Sequence, residues 1–185
     1  MKLLLHICCA PCSIMCIETL RGEGIEPVGF WDNPNIHPFT EFRMRRNTLV
    51  DYAKEIGLSL VVEGGYGLRP FLEAVGGDFD GRCPVCYRLR MRSAARYAAE
   101  NGFTHFTTTL LISPYQNHEL LAQTAREAAE EFGVAFLYWD FRPFFREGQD
   151  RARAMGLYMQ KYCGCIFSEE DRYRKRKKPP KKEEA

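Results

Sequence analysis

Short apolar runs alternate with longer segments of helical periodicity along most of this 185-residue chain. The apolar runs predict the strands of a buried sheet at residues 3–7, 28–31, 58–62, 104–111 and 134–139. Apolar positions spaced three and four residues apart predict helices at residues 13–21, 41–56, 70–75, 83–101, 119–132 and 148–159, with a loop from Tyr162 onward. This alternation predicts an α/β fold: a single compact domain with a mostly parallel sheet flanked by helices.

Several polar or reactive side chains stand immediately after predicted strands. They are Cys8, Cys9, Asn33, Ser113 and Asp140. In parallel sheets, binding sites collect at the carboxyl ends of the strands. One shared pocket is therefore predicted to gather these five side chains.

The composition is that of a globular protein, with 45% hydrophobic and 13% aromatic residues. No stretch approaches the ~20 consecutive apolar residues that a membrane helix needs. The apolar run Leu3–Ile7 is too short for a signal peptide, and Cys8 follows it at once. We therefore expect a cytoplasmic protein with no membrane partner.

The charge is unevenly distributed, although the net charge is only +2. Basic residues cluster between Arg172 and Lys182, in a segment that offers almost no apolar surface to bury. Residues 172–185 are therefore predicted to form a disordered tail behind a catalytic domain of residues 1–171. Such a tail attracts a nucleic-acid backbone by counterion release, or it only raises solubility, and the sequence leaves both open.

Eight cysteines are many for a chain in a reducing compartment, where metal or redox use is commoner than disulfides. Cys83 and Cys86 form a C-x-x-C pair at the start of a predicted helix, whose N-terminus stabilises thiolates. Cys8 and Cys9 are adjacent, and their diverging side chains suit separate corners of an iron–sulfur cluster better than one tetrahedral ion. Four thiolates also match the ligand count of such a cluster. The residues favour a cluster used for a reduction, with a zinc site or no metal as alternatives.

Three further cysteines have separate interpretations. Cys12 follows the Cys8–Cys9 pair closely and is a candidate to bind the cluster, a second ion or the substrate. Cys163 and Cys165 form a C-x-C pair, whose disulfide would be strained and readily reduced. Such a pair can carry two electrons in catalysis; two extra metal ligands or a packed turn are the alternatives.

The chain as far as about Ser168 resembles the cobalamin-independent epoxyqueuosine reductases. The motifs that carry the resemblance are His6–Cys12, Asn33–Pro38, Arg82–Tyr87, Thr108–Leu110 with Ser113–Tyr115, and Tyr162–Cys165. The resemblance implies reduction of the epoxide of epoxyqueuosine at the tRNA wobble position, the last step of queuosine biosynthesis. The implied partners are this tRNA and an unidentified electron donor, and cobalamin is not expected.

The same resemblance implies roles for particular residues. It implies a [4Fe–4S] cluster on Cys8, Cys9, Cys83 and Cys86. It also implies a redox role for the Cys163–Cys165 pair. It further implies an additional mononuclear iron or other metal beside the cluster. The expected ligands of this metal are Cys12 and Asp140, which are therefore also candidate catalytic residues.

The alternation of strands and helices also resembles the adenine-nucleotide α-hydrolase (Rossmann-like) group, which includes tRNA-thiolating enzymes. Those enzymes hold ATP phosphates on a glycine-containing loop after the first strand. Residues 8–13 occupy that place here and contain no glycine, so no ATP use is predicted. An iron–sulfur-dependent tRNA thiolation or desulfurisation enzyme and a zinc-stabilised RNA-binding protein are the alternative functions.

Other residues are candidates for proton transfer or for contact with RNA. Candidate general acids are His37, Tyr115 and His118, and candidate platforms for base stacking are Trp31, Tyr87 and Tyr115. Candidate phosphate contacts are Arg43, Arg45, Arg46, Arg88, Arg90 and Arg92, which cannot all share one helix face.

Overall fold

A five-stranded parallel sheet lies at the centre of the computed structural model, which describes residues 1–174. Its strands are β1 (Leu3–His6), β2 (Val28–Trp31), β3 (Leu60–Val62), β4 (His105–Thr108) and β5 (Ala135–Phe136). They are hydrogen-bonded in the order β3-β2-β1-β4-β5, and every pair is parallel. This confirms the predicted α/β fold and its parallel sheet.

Helices follow the strands at nearly every crossover. They are α1 (Ala10–Gly22), α2 (Phe39–Glu55), α3 (Leu68–Val75), α4 (Arg82–Glu100), α5 (His118–Phe132), α6 (Phe145–Ala154) and α7 (Ile166–Tyr173). Short 3₁₀ helices lie at Thr109–Ile112 and Arg142–Phe144. Within residues 1–174, none of the helices combines the length and the apolar character that crossing a bilayer requires.

The helices form two layers around the sheet. Helix α1 packs against α2 and α6, whereas α4 packs against α5. Right-handed crossovers place these two groups on opposite faces, because the chain moves outward from β1 to β3 and then returns to β4. The central strand β1 is accordingly buried along its whole length, and its leucines lie in the main core.

The strand order reverses between β1 and β4. Chain segments leaving these two neighbours go to opposite faces, which opens a crevice at their carboxyl ends. The register pairs His6 with Thr108, so the segments after both strands begin side by side. The backbone N–H of Cys8 then donates to the Thr109 hydroxyl at 3.1 Å. The first cysteine motif is thereby fixed at this crevice.

The strands predicted at residues 104–111 and 134–139 each end three residues early in the structure. The predicted strand 104–111 ends at Thr108, because the Thr108 hydroxyl accepts the Leu110 N–H at 3.2 Å and turns the chain into a 3₁₀ helix. The predicted strand 134–139 ends at Phe136. The first difference places Thr109 beyond the end of β4, where its hydroxyl contacts Cys8.

Helix α7 lies in the segment that was predicted to be a loop from Tyr162 onward. The Cys165 sulfur accepts the Ser168 N–H at 3.4 Å and caps the helix, and Phe167 packs against Phe71 and Phe79. Arg172, the first residue of the predicted tail, is therefore helical. Residues 175–185 of that tail lie outside the described residues.

Candidate functional site

Three cysteine thiols meet at the start of helix α1. The sulfur atoms of Cys8, Cys9 and Cys12 all lie within 4.8 Å of one another, and all three residues are buried. Cys9 is the N-cap of α1, and the proline two residues later is tolerated because the first turn needs no N–H donor there. The free N–H groups of the helix terminus favour negative charge. Soft thiolates in this arrangement can bind a metal.

The three thiols differ in how readily they ionise. Hydrogen bonds from the Cys12 and Cys9 thiols hold the pKa of Cys8 well below its ordinary value, and Arg90 lowers it further. Burial raises the pKa of Cys9, and the hydrogen bond to Cys8 raises the pKa of Cys12. Cys8 is therefore the thiol of the group that ionises most readily.

Arg90 lies fully inside the protein, with 1% of its surface exposed. Its guanidinium donates to the Asn33 side-chain oxygen at 2.7 Å and lies 4.0 Å from the Cys86 sulfur. None of the ion pairs found within residues 1–174 includes Arg90. The nearby groups that can balance its charge are the thiols of Cys86, Cys8 and Cys163. A buried cation beside these sulfurs favours their anionic form.

The C-x-x-C pair lies in the first two turns of α4. Cys86 is buried and Cys83 is exposed. Burial raises the pKa of Cys86 to about 12, although Arg90, one turn further along the helix, opposes the shift. Cys86 shares a buried cluster with Cys165. The second cysteine motif is therefore linked to the first through Arg90 and to the C-x-C pair by packing.

The two cysteines of the C-x-C pair differ in burial. Cys163 is exposed, and its sulfur accepts the Gln116 side-chain N–H at 3.4 Å. Cys165 is buried, and the Gly164 N–H between the two cysteines donates to the Ser168 hydroxyl at 3.2 Å. All eight cysteines of the chain are free thiols.

Arg45 of helix α2 holds this C-x-C segment in place. Its guanidinium donates to the backbone oxygens of Tyr162 and Cys163 at 3.0 and 2.9 Å. Its Nε bonds the Glu41 carboxylate at 2.7 Å, and that carboxylate also accepts the Tyr158 hydroxyl. Because Arg45 is only 2% exposed, its three donated hydrogen bonds satisfy it without water.

A cavity of about 570 Å³ opens over the thiols. This volume is in the range of small-molecule sites. Its wall includes Cys8 and Cys12 from the first motif, Cys163 from the C-x-C pair, and Thr109, Tyr115 and Gln116 from the segment after β4. Ser113 also lines the cavity, as predicted from its position after a strand. Thiols from two distant parts of the chain thus reach one cavity.

The surroundings of the thiols fit an anionic, sulfur-rich group. Arg90 Nε and both amide atoms of Asn35 are buried and have no hydrogen-bond partner among the described residues. Asn35 lies beside Gly164, between the two cysteines of the C-x-C pair. Unsatisfied buried donors are costly, and cluster sulfurs accept such hydrogen bonds. The donor set therefore fits an iron–sulfur cluster in chemistry.

Asp140 does not join the three-thiol group, in contrast to its predicted pairing with Cys12. Its carboxylate accepts two hydrogen bonds from the Arg142 guanidinium, at 2.8 and 2.7 Å. These bonds lower the pKa of Asp140 to about 2. The strand before it ends at Phe136, so the intervening residues carry Asp140 away from the sheet edge and outside the cavity wall.

Asn33 has a structural place beside the cavity. It is 1% exposed, donates to the Ile7 backbone oxygen at 2.9 Å and accepts from Arg90. It therefore supports the thiol motif from behind and does not line the cavity.

Several other candidates are occupied by structural contacts. His37 is buried with both ring nitrogens engaged, and His118 bonds the Leu111 backbone oxygen at 2.9 Å. Trp31 and Tyr87 are buried and cannot stack with an external base. Tyr115, by contrast, is 84% exposed on the cavity wall.

Arg45 and Arg90 were interpreted from the sequence as candidate phosphate contacts, and this is wrong for both because they are buried. Their roles toward the cysteine motifs were missed. A signal was present in the spacing, since Arg90 follows Cys86 by four residues and Arg45 follows Glu41 by four. The contact of Thr109 with Cys8 was also missed, although Thr109 lies in the motif Thr108–Leu110. Gln160, which donates to the Cys12 sulfur at 3.4 Å, gave no local signal.

Comparison with known proteins gives a consistent set of relatives. A family model described as "Epoxyqueuosine reductase QueH" matches residues 3–171. A protein of that name from Dehalococcoides mccartyi is 36% identical over 178 residues, which cover 96% of this chain and 98% of the relative. Proteins of the same name from Haemophilus influenzae and Thermotoga maritima are 34% and 33% identical; the alignments cover 92% and 89% of this chain and 72% and 88% of the relatives.

Proposed function

The chain belongs to the QueH family of epoxyqueuosine reductases, and from this premise we propose that it reduces the epoxide of epoxyqueuosine at the tRNA wobble position to give queuosine. It is accordingly an oxidoreductase that acts on tRNA. The observation that carries the proposal is the cavity into which Cys8, Cys12 and Cys163 all project. The relatives' names give no support to thiolation, to desulfurisation or to a zinc-stabilised RNA-binding protein.

The proposed cofactor is a [4Fe–4S] cluster held by Cys8, Cys9, Cys83 and Cys86. The close sulfurs of the first motif support it, as does Arg90, which is the cation of both Cys8 and Cys86. When bound, such a cluster supplies single electrons at a potential set by nearby charges and hydrogen bonds. Arg90 and Asn35 are the residues of this chain that are suited to donate those hydrogen bonds.

Cys12 is proposed as a ligand of an additional mononuclear metal, without Asp140. Its sulfur lies within 4.8 Å of those of Cys8 and Cys9, and it also lines the cavity. Gln160 donates a hydrogen bond to it from the cavity wall. A metal at this position would act as a Lewis acid toward an oxygen of the substrate.

The C-x-C pair is proposed to supply the two electrons of each turnover. Removing the epoxide oxygen breaks two C–O bonds, forms a carbon–carbon double bond and releases water, which requires two electrons and two protons. Oxidation of the Cys163 and Cys165 thiols to one disulfide releases the same number of each. An external electron donor, which stays unidentified, then reduces the disulfide and restores both thiols.

The residues around Cys163 are suited to position its thiol. Gln116 holds the Cys163 sulfur from one side, while its own amide oxygen accepts the Tyr87 hydroxyl at 2.7 Å. The buried Tyr87 therefore fixes Gln116 and orients the thiol toward the cavity.

We also propose a cytoplasmic location, since eight free thiols suit a reducing compartment.

The test uses protein prepared without oxygen and tRNA that carries epoxyqueuosine. Mass analysis of the nucleosides should show loss of one oxygen atom and formation of queuosine, without added cobalamin or ATP. Iron analysis should give about four irons per chain, and one more if Cys12 holds a further ion. If epoxyqueuosine stayed intact after incubation with a chemical reductant and protein that carries its iron–sulfur cluster, the proposed activity would be contradicted.

Single substitutions separate the cofactor from the redox pair. Cys83→Ser should remove the visible absorption of the cluster, whereas Cys163→Ser should keep the absorption and abolish turnover. Cys16→Ala is the matched control, because Cys16 is a buried thiol of the same helix as Cys12 and lies outside the three-thiol group. An unchanged spectrum in Cys83→Ser would exclude Cys83 as a ligand.

A further inference from the structure

Tyr115 is the most exposed large hydrophobic residue among those that the structure describes, at 84%. Its ring is nevertheless held in place. The Tyr115 N–H donates to the Ser113 hydroxyl at 3.3 Å, and the ring meets Phe145 edge-on, with centroids 5.8 Å apart and planes at 84°. A held aromatic ring that leaves most of its surface in water is suited to receive another flat group.

The segment around Tyr115 is anchored close to the thiols. The next residue, Gln116, bonds both the Cys163 sulfur and the Tyr87 hydroxyl, and the following N–H, of Asn117, also donates to Tyr87 at 3.1 Å. Asn117 in turn caps helix α5. The ring of Tyr115 is therefore tied to a rigid element and lies on the same cavity wall as Cys163.

The cavity mouth carries more positive than negative charge. Arg153, Lys161 and Arg172 line it and are exposed, whereas Asp171 is the acidic residue of the lining. Arg153 also contacts Asp150 in an ion pair whose side chains are 60% and 67% exposed, which water screens strongly. Exposed cations around a concave site attract polyanions and raise their local concentration.

We propose that Tyr115 is the platform on which the modified wobble base stacks, and that Arg153, Lys161 and Arg172 contact the phosphates beside it. This inference rests on the proposed function, because it takes tRNA as the substrate. A base on Tyr115 directs its epoxide-bearing arm toward Cys163 and Cys8 in the cavity wall. Proteins bind unpaired bases in this way, by aromatic stacking combined with basic contacts to the backbone.

Stacking is tested by measuring the Kd and KM of tRNA carrying epoxyqueuosine with the full-length protein that carries its iron–sulfur cluster. Tyr115→Ala should raise the Kd and KM about 10- to 100-fold, while Tyr115→Phe should stay close to wild type, because phenylalanine keeps the π-face. The visible absorption should be the same in all variants. Phe39→Ala is the matched control, since Phe39 is also exposed, at 52%, and also meets one ring edge-on, but lies outside the cavity wall.

The outcomes separate the inference from the function on which it rests. Wild-type affinity and KM in Tyr115→Ala, with queuosine formed normally, would overturn the stacking role and leave the proposed function intact. A loss of kcat at unchanged Kd would also overturn it, because a platform acts through binding. A wild-type protein that neither binds nor converts the tRNA would overturn both proposals.

The phosphate contacts are tested by the salt dependence of binding. The double variant Lys161→Ala/Arg172→Ala should lower the slope of log Kd against log salt by about one for each contact removed. Lys54→Ala/Arg69→Ala removes the same charge from exposed positions outside the cavity wall, and it should keep most of the wild-type slope. Equal slopes in the two double variants would exclude Lys161 and Arg172 as phosphate contacts.

Discussion

Gly164 decides which way the two thiols of the C-x-C pair point. Its φ of +148° lies in a region that residues with a side chain rarely adopt. A Cβ atom at this position would lie 3.3 Å from the Ile36 side chain and 3.4 Å from the Arg45 guanidinium. The glycine therefore allows Cys163 to face the cavity while Cys165 packs inside with Cys86.

Replacing Gly164 with alanine should lower the free energy of unfolding by about 1–3 kcal/mol, because the backbone is strained and the Arg45 contact is crowded. It should also change the rate at which the Cys163 thiol reacts with an alkylating reagent. Urea denaturation measures the first effect and mass analysis of the labelled protein measures the second. Gly22→Ala is the control: Gly22 is helical, and nothing lies within 4 Å of an added Cβ, so no loss is expected. Similar losses in both variants would contradict this explanation.

At the scale of elements, helix α2 anchors a segment that is more than a hundred residues away in sequence. Arg45 reaches from the first half of this helix to the backbone oxygens of Tyr162 and Cys163. Glu41, one turn earlier, neutralises it at 2.7 Å. The loop before α2 adds a second attachment, because the His37 N–H donates to the Gly164 oxygen at 2.8 Å. The C-x-C pair thus depends on α2 for its position.

Arg45→Met should lower the free energy of unfolding by about 3–5 kcal/mol, because it leaves the buried Glu41 carboxylate without its cation. The double variant Glu41→Leu/Arg45→Met should lose less than Arg45→Met alone, because it leaves neither charge unpaired. Arg43→Met serves as the control, since Arg43 is on the same helix and is exposed. These values are measured by urea denaturation. A loss in the double variant as large as the sum of the two single losses would contradict coupling between Glu41 and Arg45.

At the scale of the whole molecule, the neutral ring of His37 joins the loop before α2 to the start of α7. The His37 ring nitrogens meet the Pro34 oxygen at 3.1 Å and the Ile166 N–H at 3.3 Å, so Nε2 donates and Nδ1 accepts. The Tyr162 hydroxyl donates to the His37 backbone oxygen at 2.6 Å. Burial lowers the pKa of His37 from 6.5 to about 4. The folded protein therefore holds this ring neutral while the unfolded chain takes up a proton.

The free energy of unfolding should fall as the pH falls, because below about pH 6.5 only the unfolded chain protonates His37. The contribution of this residue is fully present above pH 6.5 and is lost progressively toward its folded pKa of about 4. It amounts to at most about 2 kcal/mol between pH 6.5 and 4.5. His37→Asn should show a shallower pH dependence than wild type in urea denaturation across this range. The same slope in both proteins would contradict the assignment to His37.

The sequence by itself determined the class of fold, most of the elements and the chemistry of the cysteine motifs. Periodicity is a local property, so the alternation of apolar runs and helical segments was sufficient to predict a parallel α/β sheet. The position of Cys8 and Cys9 after β1 likewise follows from adjacent residues, and strand ends are where parallel sheets bind ligands. Helix α7 was missed because its cap is a cysteine sulfur and its packing partners, Phe71 and Phe79, are distant in sequence.

Only the tertiary structure decided which side chains meet. It buried Arg45 and Arg90 beside sulfur and backbone oxygens, although both had the appearance of solvent-exposed phosphate contacts. It left Asp140 outside both the cavity wall and the group of three thiols to which Cys12 belongs. The physical reason is that burial and charge pairing depend on contacts between segments that are far apart along the chain. A local pattern shows the type of each residue, but the packing of α2, α4 and the C-x-C segment determines its neighbours.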